Sequence, residues 1–201
     1  MNPEDITKLL SAYNVILVKV NDLERVHELL AGLLKRIIWY RNLTAIILLG
    51  SRPAEDVMRK LDEHGFQVSK AIREGRLLLI DSLTKSIGGL PVRGTLYVSS
   101  PSDLNELQLN VEKGLRRSRA KRRKACLLIE GLSTFLIFNT ANKVLQFLIF
   151  LIGRLRALDY YCLIFHYGSE LEARIENVVK QYVDRVYEDD RTRISNAPLH
   201  H

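Results

Sequence analysis

Residues 48–83, LLGSRPAEDVMRKLDEHGFQVSKAIREGRLLLIDSL, decide the architecture, because two short apolar runs flank a segment of helical character. The first run belongs to TAIILLG (44–50) and the second is RLLLID (76–81). Each is nearly continuous in Ile and Leu, the pattern of a strand covered on both faces. Between them Ser51 stands where an N-cap belongs and Pro53 falls in the first turn. Glu55 and Asp56 lie near the positive end of the helix dipole, and His64-Gly65 ends the helix.

Reading outward, the alternation continues in both directions. VILVKV (15–20) predicts a strand, and 22–40 a helix with Leu23, Val26, Leu29, Leu30, Leu33, Leu34 and Ile37 on one face. Downstream, the glycine-rich IGGLPVRG leads into TLYVSS (95–100). Pro101 and Asp103 then open a helix whose end is strongly basic, and ACLLIE (125–130) follows at once as a strand. A short helix from Leu132, a long apolar helix ending near Leu158 and a strand at 160–166 come next. A helix from about Ser169 and a final strand within YVDRVYE (182–188) complete the series. Strands alternating with helices predict an α/β fold, a doubly wound and mainly parallel sheet with helices on both faces. A single domain is expected over 1–190 with a loose tail at 191–201, since a chain of 201 residues suits one core and no repeat or linker interrupts it.

Composition narrows the class. With 47% hydrophobic and 26% charged residues the chain lies outside the disordered range. The acidic start, MNPEDITKLL, is unlike a signal peptide, so a cytoplasmic location is expected. The most apolar segment, 135–153, is interrupted by Asn139, Thr140, Asn142, Lys143 and Gln146 and is read as a buried helix, not a membrane span. Cys126 and Cys162 each sit inside an apolar run without metal-ligand spacing, as reduced core residues do.

The net charge of +7 is local in origin. Residues 113–124, KGLRRSRAKRRK, carry eight cations and no acid: Lys113, Arg116, Arg117, Arg119, Lys121, Arg122, Arg123 and Lys124. The other 22 basic and 23 acidic residues nearly cancel. Eight cations exceed what complementing a helix C-terminus requires, so a nucleic-acid or acidic-protein partner is expected here. No aromatic residue interleaves with them, and stacking on single-stranded bases is not indicated.

The stretch 48–83, with LYVSSPSDLNELQLNVEKGL and LLIEGLSTFLIFNTANKVLQFLIFLIGRLRAL after it, resembles archaeal KaiC-like members of the RecA superfamily over residues 44–188. The resemblance implies a RecA-like core, an archaeal source and a tendency to form homo-oligomers or to pair with a RecA-like ATPase. It also implies a Walker B position at Glu130, in LLIEGLS, where the family generally has Asp, and an Asp at position 81. What is missing is the phosphate loop GxxxxGK[ST], whose glycine backbones cradle phosphate. The corresponding stretch, VKVNDLERVHELL (18–30), has no glycine, and the chain has no Gly-Lys pair. Asp22 and Glu24 suit the first turn of a helix and repel phosphate.

Other chemistry is not assembled by the sequence. His27, His64 and His166 fall on separate elements and His200 and His201 in the tail, with no GxSxG or HExxH motif. Glu130, Asp81 and His166 would gather at the carboxyl edge of the sheet by topology alone. The expectation is therefore a non-catalytic RecA/KaiC-like binding or regulatory module without cofactor or metal. Assembly through protein contacts and sensing of a small ligand or nucleotide in an atypical pocket stand as alternatives.

Overall fold

The computed structural model describes residues 2–20, 23–167 and 173–188. Seven strands form one sheet in which every ladder is parallel: β1 (Val15–Val20), β2 (Thr44–Leu49), β3 (Leu77–Asp81), β4 (Thr95–Tyr97), β5 (Ala125–Glu130), β6 (Tyr161–Tyr167) and β7 (Arg185–Glu188). Their order is β4-β3-β2-β5-β6-β1-β7.

The period-2 alternation of each strand sorts its side chains onto two faces. On one face Ala45, Ile47, Leu49, Leu77 and Leu79 meet α1 (Pro3–Leu9), α2 (Leu23–Lys35), α3 (Ala54–Glu63) and α4 (Val68–Arg73). On the other, Ile46, Leu48, Leu127 and Ile129 meet α5 (Leu104–Ala120), α6 (Leu132–Phe138), α7 (Ala141–Ala157) and α8 (Ala173–Tyr182). Helices on both faces explain why the strands are apolar throughout rather than alternating. Cys126 and Cys162 are free and buried, one on each face. No helix among the described residues is long and apolar enough to cross a membrane; residues 135–153 fall on α6 and α7, which break at Asn139.

Local details depart from the sequence reading. The long helix ends in a five-residue π-turn, Arg36–Tyr40, where the Arg41 N–H reaches back to the Arg36 carbonyl at 3.0 Å. Ser51 does not cap α3. Pro53 is the N-cap residue, and the free Ala54 N–H donates instead to the Asp81 carboxylate, 2.6 Å away. β4 is shorter than 95–100 because only Thr95–Tyr97 runs beside β3. Asp103 does cap α5, accepting from the Glu106 N–H at 2.8 Å. Asp22, Ser169 and the 191–201 tail lie outside the described residues, as do His200 and His201.

Candidate functional site

An open parallel sheet offers ligands a crevice at the carboxyl ends of its strands, where successive connections leave in opposite directions. Such a point lies between β2 and β5, because β2 continues through α3 on one face and β5 through α6 on the other. Leu49, the last residue of β2, is flanked in register by Asp81 on β3 and Glu130 on β5. The two sequence-predicted carboxylates thus stand at one level, and both are fully buried.

Their hydrogen bonds account for that burial. One Asp81 oxygen accepts from Ala54 N–H and the Thr84 hydroxyl, both at 2.6 Å; the other accepts from Leu83 N–H at 2.7 Å and Thr84 N–H at 2.9 Å. Glu130 accepts from the N–H groups of Gly50 at 3.3 Å and Ser51 at 3.2 Å, and from the Ser51 hydroxyl. A buried carboxylate is tolerated when donors surround it in this way. Between them, Asp81 and Glu130 clamp the β2–α3 turn from both sides.

Backbone packs closely beside the two carboxylates. A Cβ on Gly50 would stand 2.8 Å from the Gly131 carbonyl oxygen, and Gly131, at φ +84°, has the Ser51 nitrogen 2.5 Å from where its Cβ would be. Only glycine permits that approach. The sequence holds both glycines, but their contact depends on β2 and β5 being neighbours, which no local pattern encodes.

A second reversal lies between β1 and β6, where Lys19 and His166 stand side by side in register. Lys19 pairs with Glu188 on β7 at 3.1 Å, and His166 is 2% exposed. His27 is buried on α2 and His64 closes α3, each on a different element from His166. The α2 backbone starts at Leu23, within the 18–30 stretch that lacks the glycines of a phosphate loop.

The basic cluster occupies the opposite edge. Lys113, Arg116, Arg117 and Arg119 project from the outer side of α5, whose buried side carries Leu107, Val111, Gly114 and Leu115. Arg122 takes positive φ (53°) in the turn that delivers the chain to the amino end of β5. Of the eight cations only Lys124 makes an ion pair among the described residues, with Asp159. That hydrogen bond holds the Lys124 ammonium above the ordinary lysine value and Asp159 below the usual carboxylate range. Lys113 donates to Asn110 at 2.9 Å and Lys121 to the Glu74 carbonyl at 3.2 Å, while Arg116, Arg117, Arg119 and Arg122 are exposed.

The fold adds residues that the sequence reading missed. Arg76 enters β3 at this edge and, with Lys70, lies over the Trp39 ring at 5.4 and 5.2 Å. Arg41 enters β2 and shares the Tyr161 ring with Lys124. Tyr40 is 82% exposed at the end of the π-turn. Aromatics therefore do border the cations, though none interleaves within 113–124. The signal was present as RIIWYR (36–41), which reads as a helix end until the sheet order places it beside residues 74–76 and 121–124.

A seven-stranded parallel sheet in this order, sandwiched between two helical layers, is a RecA/KaiC-like α/β fold. Two of the solved structures it resembles are from Pyrococcus horikoshii. One is the uncharacterized protein PH0321 in complex with an unknown peptide (TM-score 0.67, 19% identity, 87% of this chain and 76% of that one). The other is the KaiC-like protein PH0186 (TM-score 0.63, 11% identity, 87% and 71%). No protein-family model and no curated protein matches the sequence.

Proposed function

We propose that this chain is a non-catalytic RecA/KaiC-like module that binds nucleic acid along the amino edge of its sheet. The observation that carries the reading is charge without compensation: seven of the eight cations in 113–124 have no acidic partner among the described residues. Leaving so many like charges together destabilises a fold unless a polyanion meets them, and releasing the counterions of that polyanion supplies affinity. Tyr40, 82% exposed on the same edge, offers a face on which an unpaired base can stack, which favours single strands over duplex.

Absence of catalysis is part of the same proposal. It rests on the missing phosphate loop in the sequence and on two strand-end carboxylates whose oxygens are engaged by backbone N–H groups and hydroxyls. Replacing Arg116, Arg119 and Arg122 with glutamine tests the binding surface, because all three are exposed and their loss leaves the fold intact. Fluorescence anisotropy with a labelled single strand is expected to lose affinity and to lower the slope of log K against log salt by about 2, at roughly 0.7 per phosphate contact.

A second reading, assembly with a protein partner, has its own observation. Leu109 on α5, Ile137 and Phe138 on α6 and Phe150 on α7 are large apolar side chains that are exposed, and Phe150 lines a cleft of about 580 Å³ between α5 and α7. Exposed apolar clusters of this kind mark interaction surfaces, and the similar protein PH0321 was solved with an unknown peptide. Sedimentation velocity on Phe138→Ser and Phe150→Ser variants tests it. Loss of a self-associated species supports this reading; a monomer in wild type and variants alike excludes self-assembly.

A further inference from the structure

Helices α3, α4, α5 and α7 end in the same way. After the C-cap, one residue turns left-handed and donates its N–H to the carbonyl three residues back, and the next N–H reaches back five. The left-handed residues are Gly65, Gly75, Arg122 and Asp159. Glycine adopts this conformation freely and asparagine or aspartate with local help, whereas the Cβ of any other residue crowds the following carbonyl. Among the described residues, every other position with positive φ is Gly, Asn or Asp; Arg122, at φ +53°, is the exception.

The turn holds Arg122 there from within. Its N–H donates to the Arg119 carbonyl at 2.9 Å and the Arg123 N–H to the Ser118 carbonyl at 3.1 Å. The Ser118 hydroxyl, on a residue 1% exposed, closes the loop by donating to the Arg123 carbonyl at 2.8 Å. Backbone strain persists where the surroundings over-determine it, and such positions gather at functional sites. The neighbouring cations are occupied: Lys121 donates to the Glu74 carbonyl, Lys124 pairs with Asp159, and Arg123 is half-buried. Arg122 is exposed, and its guanidinium has no hydrogen bond or ion pair among the described residues. It precedes β5, the fourth of the seven strands in spatial order, and so stands midway along the amino edge.

We propose that Arg122 is the phosphate anchor of this edge, an arginine kept at a glycine position so that its guanidinium, carried on a rigid turn, donates to a backbone phosphate of a bound single strand. The inference rests on the nucleic-acid reading and names the residue on which that binding depends most. Charge-assisted bonds from a guanidinium suit phosphate geometry, and a fixed backbone leaves less freedom to lose on binding.

Thermal unfolding and anisotropy with labelled oligothymidylate, run on three variants of the full chain, test it. Arg122→Gly relieves the left-handed strain and is expected to raise Tm by about 2–4 °C. The same variant should bind the strand about tenfold more weakly and lower the salt slope by about 0.7. Arg122→Gln removes the charge but keeps a Cβ at positive φ, so it should weaken binding equally with a smaller gain in Tm. Wild-type affinity in both Arg122 variants would overturn the proposal, as would a Tm for Arg122→Gly no higher than that for Arg122→Gln. Poly-L-glutamate bound as tightly as the strand would also overturn it, by assigning the turn to an acidic protein. The third variant, Arg116→Gln with Arg119→Gln, separates the two readings. If it alone weakens binding, the anchor fails and the proposed function stands; if none of the three does, both fail.

Discussion

Replacing Asp81 with asparagine separates a structural carboxylate from a functional one. In the native chain both oxygens accept, and all four donors are short. Asparagine keeps one oxygen for the Leu83 and Thr84 N–H groups, but its amide nitrogen then faces the Ala54 N–H, donor against donor. The Thr84 hydroxyl can rotate and accept; the Ala54 N–H cannot. One charge-assisted hydrogen bond is lost, about 1.5–3 kcal/mol, and a buried N–H at the first turn of α3 is left unsatisfied, about 1–3 kcal/mol more. The expected destabilisation is about 3 kcal/mol, or roughly 6–12 °C in Tm for a domain of this size. Thermal and urea unfolding followed by circular dichroism measure it. A variant within about 0.5 kcal/mol of wild type would refute the assignment of Asp81 as the anchor of the β2–α3 turn.

Three further outcomes follow from the same structure. Gly131→Ala should cost about 2–4 kcal/mol, because it adds a Cβ at positive φ against the Ser51 nitrogen; urea unfolding checks it. Cys126 and Cys162 should resist a thiol reagent until the chain unfolds, since burial pushes the Cys126 thiol up to about 12 and Cys162 well above the ordinary value; reaction of either at the rate of a free thiol in native buffer would contradict this. Burial raises the Asp184 carboxyl, but hydrogen bonds from Val15 N–H, Arg156 and Asn14 N–H outweigh it, so the folded value is lowered. A lowered carboxylate stabilises above its unfolded pKa and loses that stability as pH falls through the folded one, so acid should weaken the β1–β7 junction below about pH 4, and Asp184→Asn should flatten that loss in an acid-unfolding series.

The fold was legible because its signals are local. Short Ile/Leu/Val runs, turn residues and helical periods each report on their own segment, and together they reproduce the α/β alternation from 15–20 through to 185–188. What the chain does not encode locally is which strands are neighbours. Ser51 reads as a cap from its own sequence, yet β5 lies beside β2 and brings Glu130 to take its hydroxyl, leaving Asp81 from the other neighbour to hold the Ala54 N–H. The same cause hid the contact between Gly50 and Gly131 and the cations over Trp39. The eight cations were legible as a run, but their position at the edge opposite Glu130 became visible only once α5 was placed against the sheet.

The central claim is that the uncompensated cations of 113–124 hold nucleic acid without help from nucleotide. Anisotropy of labelled single strand and duplex, at two salt concentrations and with or without MgATP, tests it most directly. The account predicts salt-sensitive binding, tighter for the single strand, unchanged by MgATP and weakened when Arg116, Arg119 and Arg122 become glutamine. Binding that requires MgATP, or that is absent at low salt, would contradict it.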